Sequence, residues 1–119
     1  MPGGKVIDEY VGRVNTGTEA FSVAHMTAPA GWQEPAQAPA FDEVTVVLRG
    51  LVRVDVTAPD GSVDTLEVPA GQAVLTRGGE RVRYSTGDLE TEYVAVCLPA
   101  FSPETVNRDD EDGDEVGDD

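Results

Sequence analysis

Along the segment LVRVDV, Val52, Val54 and Val56 share one side of an extended chain, while Arg53 and Asp55 take the other. In RVRY, Val82 and Tyr84 oppose Arg81 and Arg83 in the same way. A period of two marks a half-buried strand. It recurs over Ala20 to Thr27, Glu43 to Leu48, Val63 to Val68, Gln72 to Thr76 and Thr91 to Leu98, and more weakly over Val6 to Val14. The separators carry turn chemistry: Arg49-Gly50, Pro59-Asp60-Gly61, Ala70-Gly71, Gly78-Gly79 and Gly87-Asp88. No window has a helical period. Ser102-Pro103-Glu104 is the one helix-start signal, sufficient for a single turn.

About eight short strands with frequent turns predict an all-β sandwich or barrel. The segment Glu43 to Leu48 is nearly apolar on both faces, with Thr45 and Val47 on one and Val44, Val46 and Leu48 on the other. Such a strand needs cover twice, and in a small protein the simplest second cover is another copy. A homodimer is therefore expected.

Composition divides the chain. Residues 109–119 read DDEDGDEVGDD, with eight acidic residues and no basic ones, which predicts a disordered tail. The expected organisation is an N-terminal arm over residues 1–16, a barrel over 17–104 and a disordered acidic tail over 105–119. The whole chain carries 23 acidic and 8 basic residues, a net charge of −15. Setting aside the eight tail acids leaves 15 against 8 on residues 1–108, so the body is acidic too. Seven of the eight basic residues are arginines and Lys5 is the only lysine, a surface suited to a halophilic source or to an ordinary acidic protein. This charge argues against nucleic acid and anionic membranes as partners, since both require clustered Lys and Arg. Cys97 is alone, so no intramolecular disulfide can form. MPGGKVIDEY has no apolar run of a signal peptide and no segment has transmembrane length, so a cytoplasmic protein is expected.

Two spacings then resemble those of a known superfamily. Gly31 is followed after five residues by Gln37, then Pro39, Glu43 and Gly50. From Gly71 a second series lands on Arg77, Gly79, Val82 and Thr86. These intervals are similar to the two motifs of the cupins, and the closing EYVAVCLPAFSPE looks like a cupin's last strand. The resemblance covers roughly residues 17 to 104. It implies a double-stranded β-helix, the cupin jelly roll, with a pocket inside the barrel.

In a typical cupin three histidines and a glutamate hold a divalent transition metal. Carried over by position, those ligands are Gln37, Pro39, Glu43 and Val82, of which only Glu43 is a strong donor. The usual metal site is thus degenerate, so no cofactor is assigned and a divalent transition metal stays open as the alternative. A rebuilt site would have to use His25, Gln37 and Glu43. His25, the only histidine, shares a strand face with Phe21 and Val23 and is expected to point into the barrel. Without metal, His25, Gln37, Glu43 and Tyr84 would hydrogen-bond a small polar ligand. Trp32, in the loop PAGWQEPAQAP, is a lid over the mouth or a plug for the core.

Glu43 is the candidate catalytic acid or base, because a carboxylate among apolar side chains should have a raised pKa; the competing reading is a wet carboxylate on the rim. Asp42 alternates to the other side. Gln33 and Glu34 are expected to face solvent, and Arg81 and Arg83 to lie on the outer sheet face. Cys97, in the middle of an apolar strand, reads as inert packing rather than as a nucleophile paired with His25. Three functions follow: a metal-free cupin binding a small polar molecule, a cupin enzyme (isomerase, lyase or dioxygenase-like) using Glu43 as acid or base with or without a divalent metal, or a dimeric structural or accessory module with a vestigial pocket.

Overall fold

The computed structural model describes residues 4–105; of the acidic tail expected over 105–119, Thr105 is described and residues 106–119 lie outside the described residues. Eight strands follow one another: β1 (Val6–Val11), β2 (Ser22–Ala28), β3 (Asp42–Arg49), β4 (Leu51–Thr57), β5 (Val63–Pro69), β6 (Ala73–Thr76), β7 (Arg81–Thr86) and β8 (Thr91–Leu98). They form two antiparallel sheets, one in the order β1-β2-β8-β3-β6 and one in the order β5-β4-β7. A 3-10 turn at Pro103–Thr105 follows, with Glu104 N donating to Ser102 Oγ. The residues read as an N-terminal arm supply β1, which pairs with β2 in the larger sheet.

Alternation places the core between the sheets. Val52 and Val54 of β4 and Val82 and Tyr84 of β7 face Thr45 and Val47 of β3 and Tyr93 and Ala95 of β8, all buried. Removing each such valine from water contributes about 1.5–3 kcal/mol, which holds the sheets together without a disulfide. Tyr84 keeps its hydroxyl satisfied by a 3.0 Å hydrogen bond with Thr76 Oγ1.

Two local features set the geometry. The β3–β4 hairpin turns at Gly50, whose φ is +85°. A Cβ there would lie 2.4 Å from Thr91 Oγ1 and 2.6 Å from the Glu90 carbonyl oxygen, so only glycine fits. The second is the Pro- and Ala-rich loop before β3. It runs extended along the free edge of β7: Glu34 N donates to Tyr84 O (3.2 Å), Gln37 and Val82 exchange two backbone bonds of 2.8 Å, and Thr86 N donates to Trp32 O (2.8 Å). The loop therefore covers an edge that would otherwise stay unpaired, and it points alternate side chains into the barrel.

Candidate functional site

Between the sheets lies a cavity of about 530 Å³. Trp32 and Gln37 reach it from the edge-covering loop, Glu43 from β3 and Tyr84 from β7. Four residues proposed from sequence are thus brought together by three separate elements.

His25 is not with them. On β2 the cavity-lining residues are Ser22, Ala24 and Met26, so His25 turns to the outer face, beside Asp8 of β1 and with its ring 6.2 Å from that of Tyr10. Its expected inward orientation is corrected. Strand periodicity groups Phe21, Val23 and His25, but it cannot say which face of the sheet is inside when both faces carry apolar side chains. The cysteine is on the inward face of β8, so no Cys97–His25 pair forms. Cys97 packs against Phe41, and burial first, then the Glu43 carboxylate, push its thiol up to about 12.

Among the lining residues that sequence reasoning missed are two charged ones that act on Glu43. Glu34, expected in solvent, is buried along β7 together with Trp32, while Gln33 between them is exposed and still borders the cavity. That alternation was present in the sequence but lay in a stretch read as loop. Lys5 is buried as well, its Nζ 4.3 Å from the centre of the Trp32 ring and 5.4 Å from that of Tyr93. It shares an inward face with Ile7 and Glu9 of β1.

These charges act on Glu43. Burial raises its carboxyl from 4.5 to about 7; the neighbouring Glu34 carboxylate pushes the same way, and the Lys5 ammonium opposes both. At neutral pH this side chain therefore divides between a form that accepts hydrogen bonds only and one that also donates. Tyr84 and Tyr93 are held neutral, chiefly by burial and then by these carboxylates. Asp42, half-buried at the start of β3, accepts a 2.7 Å bond from Gly78 N and so caps the turn after β6. Arg81 and Arg83 lie on the outer side of β7, opposite in register to Thr57 and Asp55.

The donor set does not fit a divalent metal. Of the four positions carried over, Val82 is a core side chain and Pro39 has no donor, while Gln37 and Glu43 remain in the cavity without His25. Among the described residues no cluster of three or more His, Cys, Asp or Glu could hold an ion.

This architecture is that of the cupin jelly rolls. The chain superposes on the oxalate decarboxylase of Bacillus subtilis with a TM-score of 0.80, at 16% identity, over 91% of this chain and 29% of that one. An oxalate oxidase in complex with the substrate analogue glycolate gives 0.68 at 19% identity, over 83% of this chain and 53% of that one. A conserved Streptococcus pyogenes protein of unknown function gives 0.68 at 13%, over 86% and 80%. Likenesses at such identities show the fold alone. No model of a protein family matches the chain.

In sequence the chain is similar to a protein named endoribonuclease YbeY from Myxococcus xanthus (strain DK1622), 43% identical over 107 residues. The match takes in 89% of this chain and 35% of that relative, so the chain spans about a third of its length. This likeness overturns the functions expected above. The small-molecule-binding cupin, the isomerase, lyase or dioxygenase-like enzyme and the vestigial module all give way to a relative named for action on RNA. The exclusion of nucleic acid as a partner falls with them. Net charge sums over the whole surface and governs long-range approach, but it does not determine what a single cavity accepts. As for membranes, no helix among the described residues is long and apolar enough to cross one.

Proposed function

We propose that this chain works in RNA processing and that its barrel cavity takes up one unpaired nucleoside of the strand. The observation that carries this reading is the 43% identity to the Myxococcus xanthus endoribonuclease YbeY over 89% of the chain. Because that relative is about two and a half times as long, the part proposed for this chain is recognition. Strand cleavage is proposed for the longer protein as a whole.

The cavity is suited to that part. At about 530 Å³ it falls in the range of small-ligand sites. Single-stranded RNA is read by splaying out bases, stacking them on aromatic rings and hydrogen-bonding their edges. Trp32, Tyr84 and Tyr93 offer ring surface, and Gln37 with Glu43 offers donors and acceptors for a base edge. Lys5 is the one basic side chain among the lining residues, a local counter-charge for a phosphate. The cytoplasm, where RNA is processed and a free Cys97 stays reduced, is the proposed location.

Trp32 is the only tryptophan in the chain, so its emission reports directly on the cavity. Titration with short single-stranded RNA should quench it saturably, and Gln37→Ala should weaken the response several-fold. A patch of basic residues would lose affinity as salt is added. Here the net charge of −15 repels the strand, so added salt should leave binding unchanged or strengthen it. Emission that no single-stranded RNA alters at any salt concentration would overturn the reading.

A further inference from the structure

The polar lining of the cavity is uneven. Three carboxylates border it, those of Glu9, Glu34 and Glu43. Glu9 serves its own loop, its Oε2 accepting from Val14 N at 3.1 Å and from Asn15 N at 2.7 Å. Glu34 and Glu43 come from two different elements, the loop along β7 and the strand β3, and their charges act on each other. Against them stand the Lys5 ammonium and the Gln37 amide. Lys5 Nζ is held 4.3 Å from the centre of the Trp32 ring and 5.4 Å from that of Tyr93. The Tyr84 hydroxyl is taken up by Thr76 Oγ1 at 3.0 Å. An ionised carboxylate only accepts hydrogen bonds, and its two oxygens can take two adjacent N–H groups at once. Among the pairing edges of the RNA bases, that of guanine alone presents two adjacent donors, N1–H and the N2 amino group, next to the acceptor O6. Uracil presents one donor between two acceptors; adenine and cytosine present one donor beside a ring nitrogen that accepts. A carboxylate with a cation near it is therefore the complement of the guanine edge.

We propose that the unpaired base this cavity takes is guanine, with the Glu43 carboxylate accepting from N1–H and N2–H and the donors of Lys5 and Gln37 turned to O6. The proposal rests on the RNA reading above and adds the identity of the base to it. Glu43 rather than Glu34 is assigned the base because its strand is paired on both sides, opposite Cys97 and Thr76, whereas Glu34 stands on a loop. A side chain on a paired strand is held in place more closely than one on a loop. Protonation changes the match. A protonated carboxyl has one donor and one acceptor, which is the complement of adenine or cytosine. Glu43 titrates at about 7, so the preference for guanine should widen from pH 6 to pH 8. The other charged and titratable groups that face it are Glu34 from the loop, Lys5 ahead of β1, Glu9 of β1, Tyr84 of β7, and Tyr93 and Cys97 of β8. Burial holds the two tyrosines and the thiol neutral throughout that range.

The test uses the full chain and short oligouridine strands in which one internal residue is replaced by guanosine, adenosine, cytidine or inosine. Affinity is read from the midpoint of each titration of Trp32 emission, so that a base's own quenching strength does not enter. At pH 8 the guanosine strand should bind about tenfold more tightly than the adenosine, cytidine and all-uridine strands, and the gap should shrink at pH 6. Inosine keeps N1–H and O6 but lacks the N2 amino group, and its strand should lose most of the advantage. Glu43→Gln, which turns one acceptor into a donor, should abolish the preference for guanosine and shift it to adenosine or cytidine. The inosine strand needs no variant and serves if Glu43→Gln fails to fold. Equal midpoints for all strands would overturn the guanine assignment and leave the RNA reading standing. An inosine strand that binds as tightly as the guanosine one, or a guanosine preference that survives Glu43→Gln, would overturn the assignment as well. Binding to none of the strands would overturn both.

Discussion

Replacing Glu43 by glutamine should stabilise the fold, and only above a definite pH. The carboxyl titrates near 7 in the folded chain against 4.5 as its ordinary value, raised by burial and then by Glu34. Between those two values the unfolded chain has released a proton that the folded chain still holds. Stability therefore falls as pH rises through this window. The contribution is fully present below 4.5 and is lost by the time pH has passed about 7. At ~1.36 kcal/mol per pH unit the loss amounts to about 3 kcal/mol, an upper limit because the cavity opens to water. Glu43→Gln keeps the shape and removes the proton. Urea unfolding of both proteins should thus coincide near pH 4 and diverge from pH 5 to 8, with the variant the more stable. Carboxylates remote from Glu43 contribute alike in both proteins and cancel in the difference. Lys5 supplies an internal control: Lys5→Met removes the opposing ammonium and should widen the divergence, moving it to higher pH. A difference that stays constant with pH, or a variant less stable at pH 8, would refute the reasoning.

Two further outcomes follow from the packing. Gly50→Ala should cost about 2 kcal/mol or more in thermal or urea unfolding, because a positive φ is joined by a collision with the Glu90 backbone and with a Thr91 hydroxyl bonded to Leu51 N; a variant within 0.5 kcal/mol of the parent, roughly the noise of surface substitutions, would show that the hairpin is not so constrained. Cys97, with its thiol held near 12 and buried, should resist iodoacetamide at pH 8 in the folded chain and react at once in denaturant, as followed by mass spectrometry; rapid labelling of the folded chain would place the thiol in an open position.

The amino-acid sequence by itself determined the strands. Val52, Val54 and Val56 against Arg53 and Asp55 leave only one conformation that separates them, and Gly50 admits a turn at positive φ that other residues rarely adopt. These are local effects, settled by side-chain alternation and backbone sterics between near neighbours. Gln37 and Glu43 could be proposed because their intervals resemble those of a known fold, Tyr84 because it alternates with Arg81 and Arg83, and Trp32 from its place in the loop after Gly31; the structure gathers the four in one cavity. Tertiary structure decided which face of each strand is inside. His25 and Phe21 alternate correctly and yet point outward, since an apolar row exists on both sides of the five-stranded sheet and only the position of the second sheet selects between them. Glu34 and Lys5 show the same limit from the other direction. Their burial depends on a loop laid along β7 and on a first strand paired to β2, contacts between segments far apart in the chain. The electrostatics of the site follow from that placement. A carboxyl titrates near 7 because burial, Glu34 and Lys5 act on it together, and the fold alone brings those three to one point.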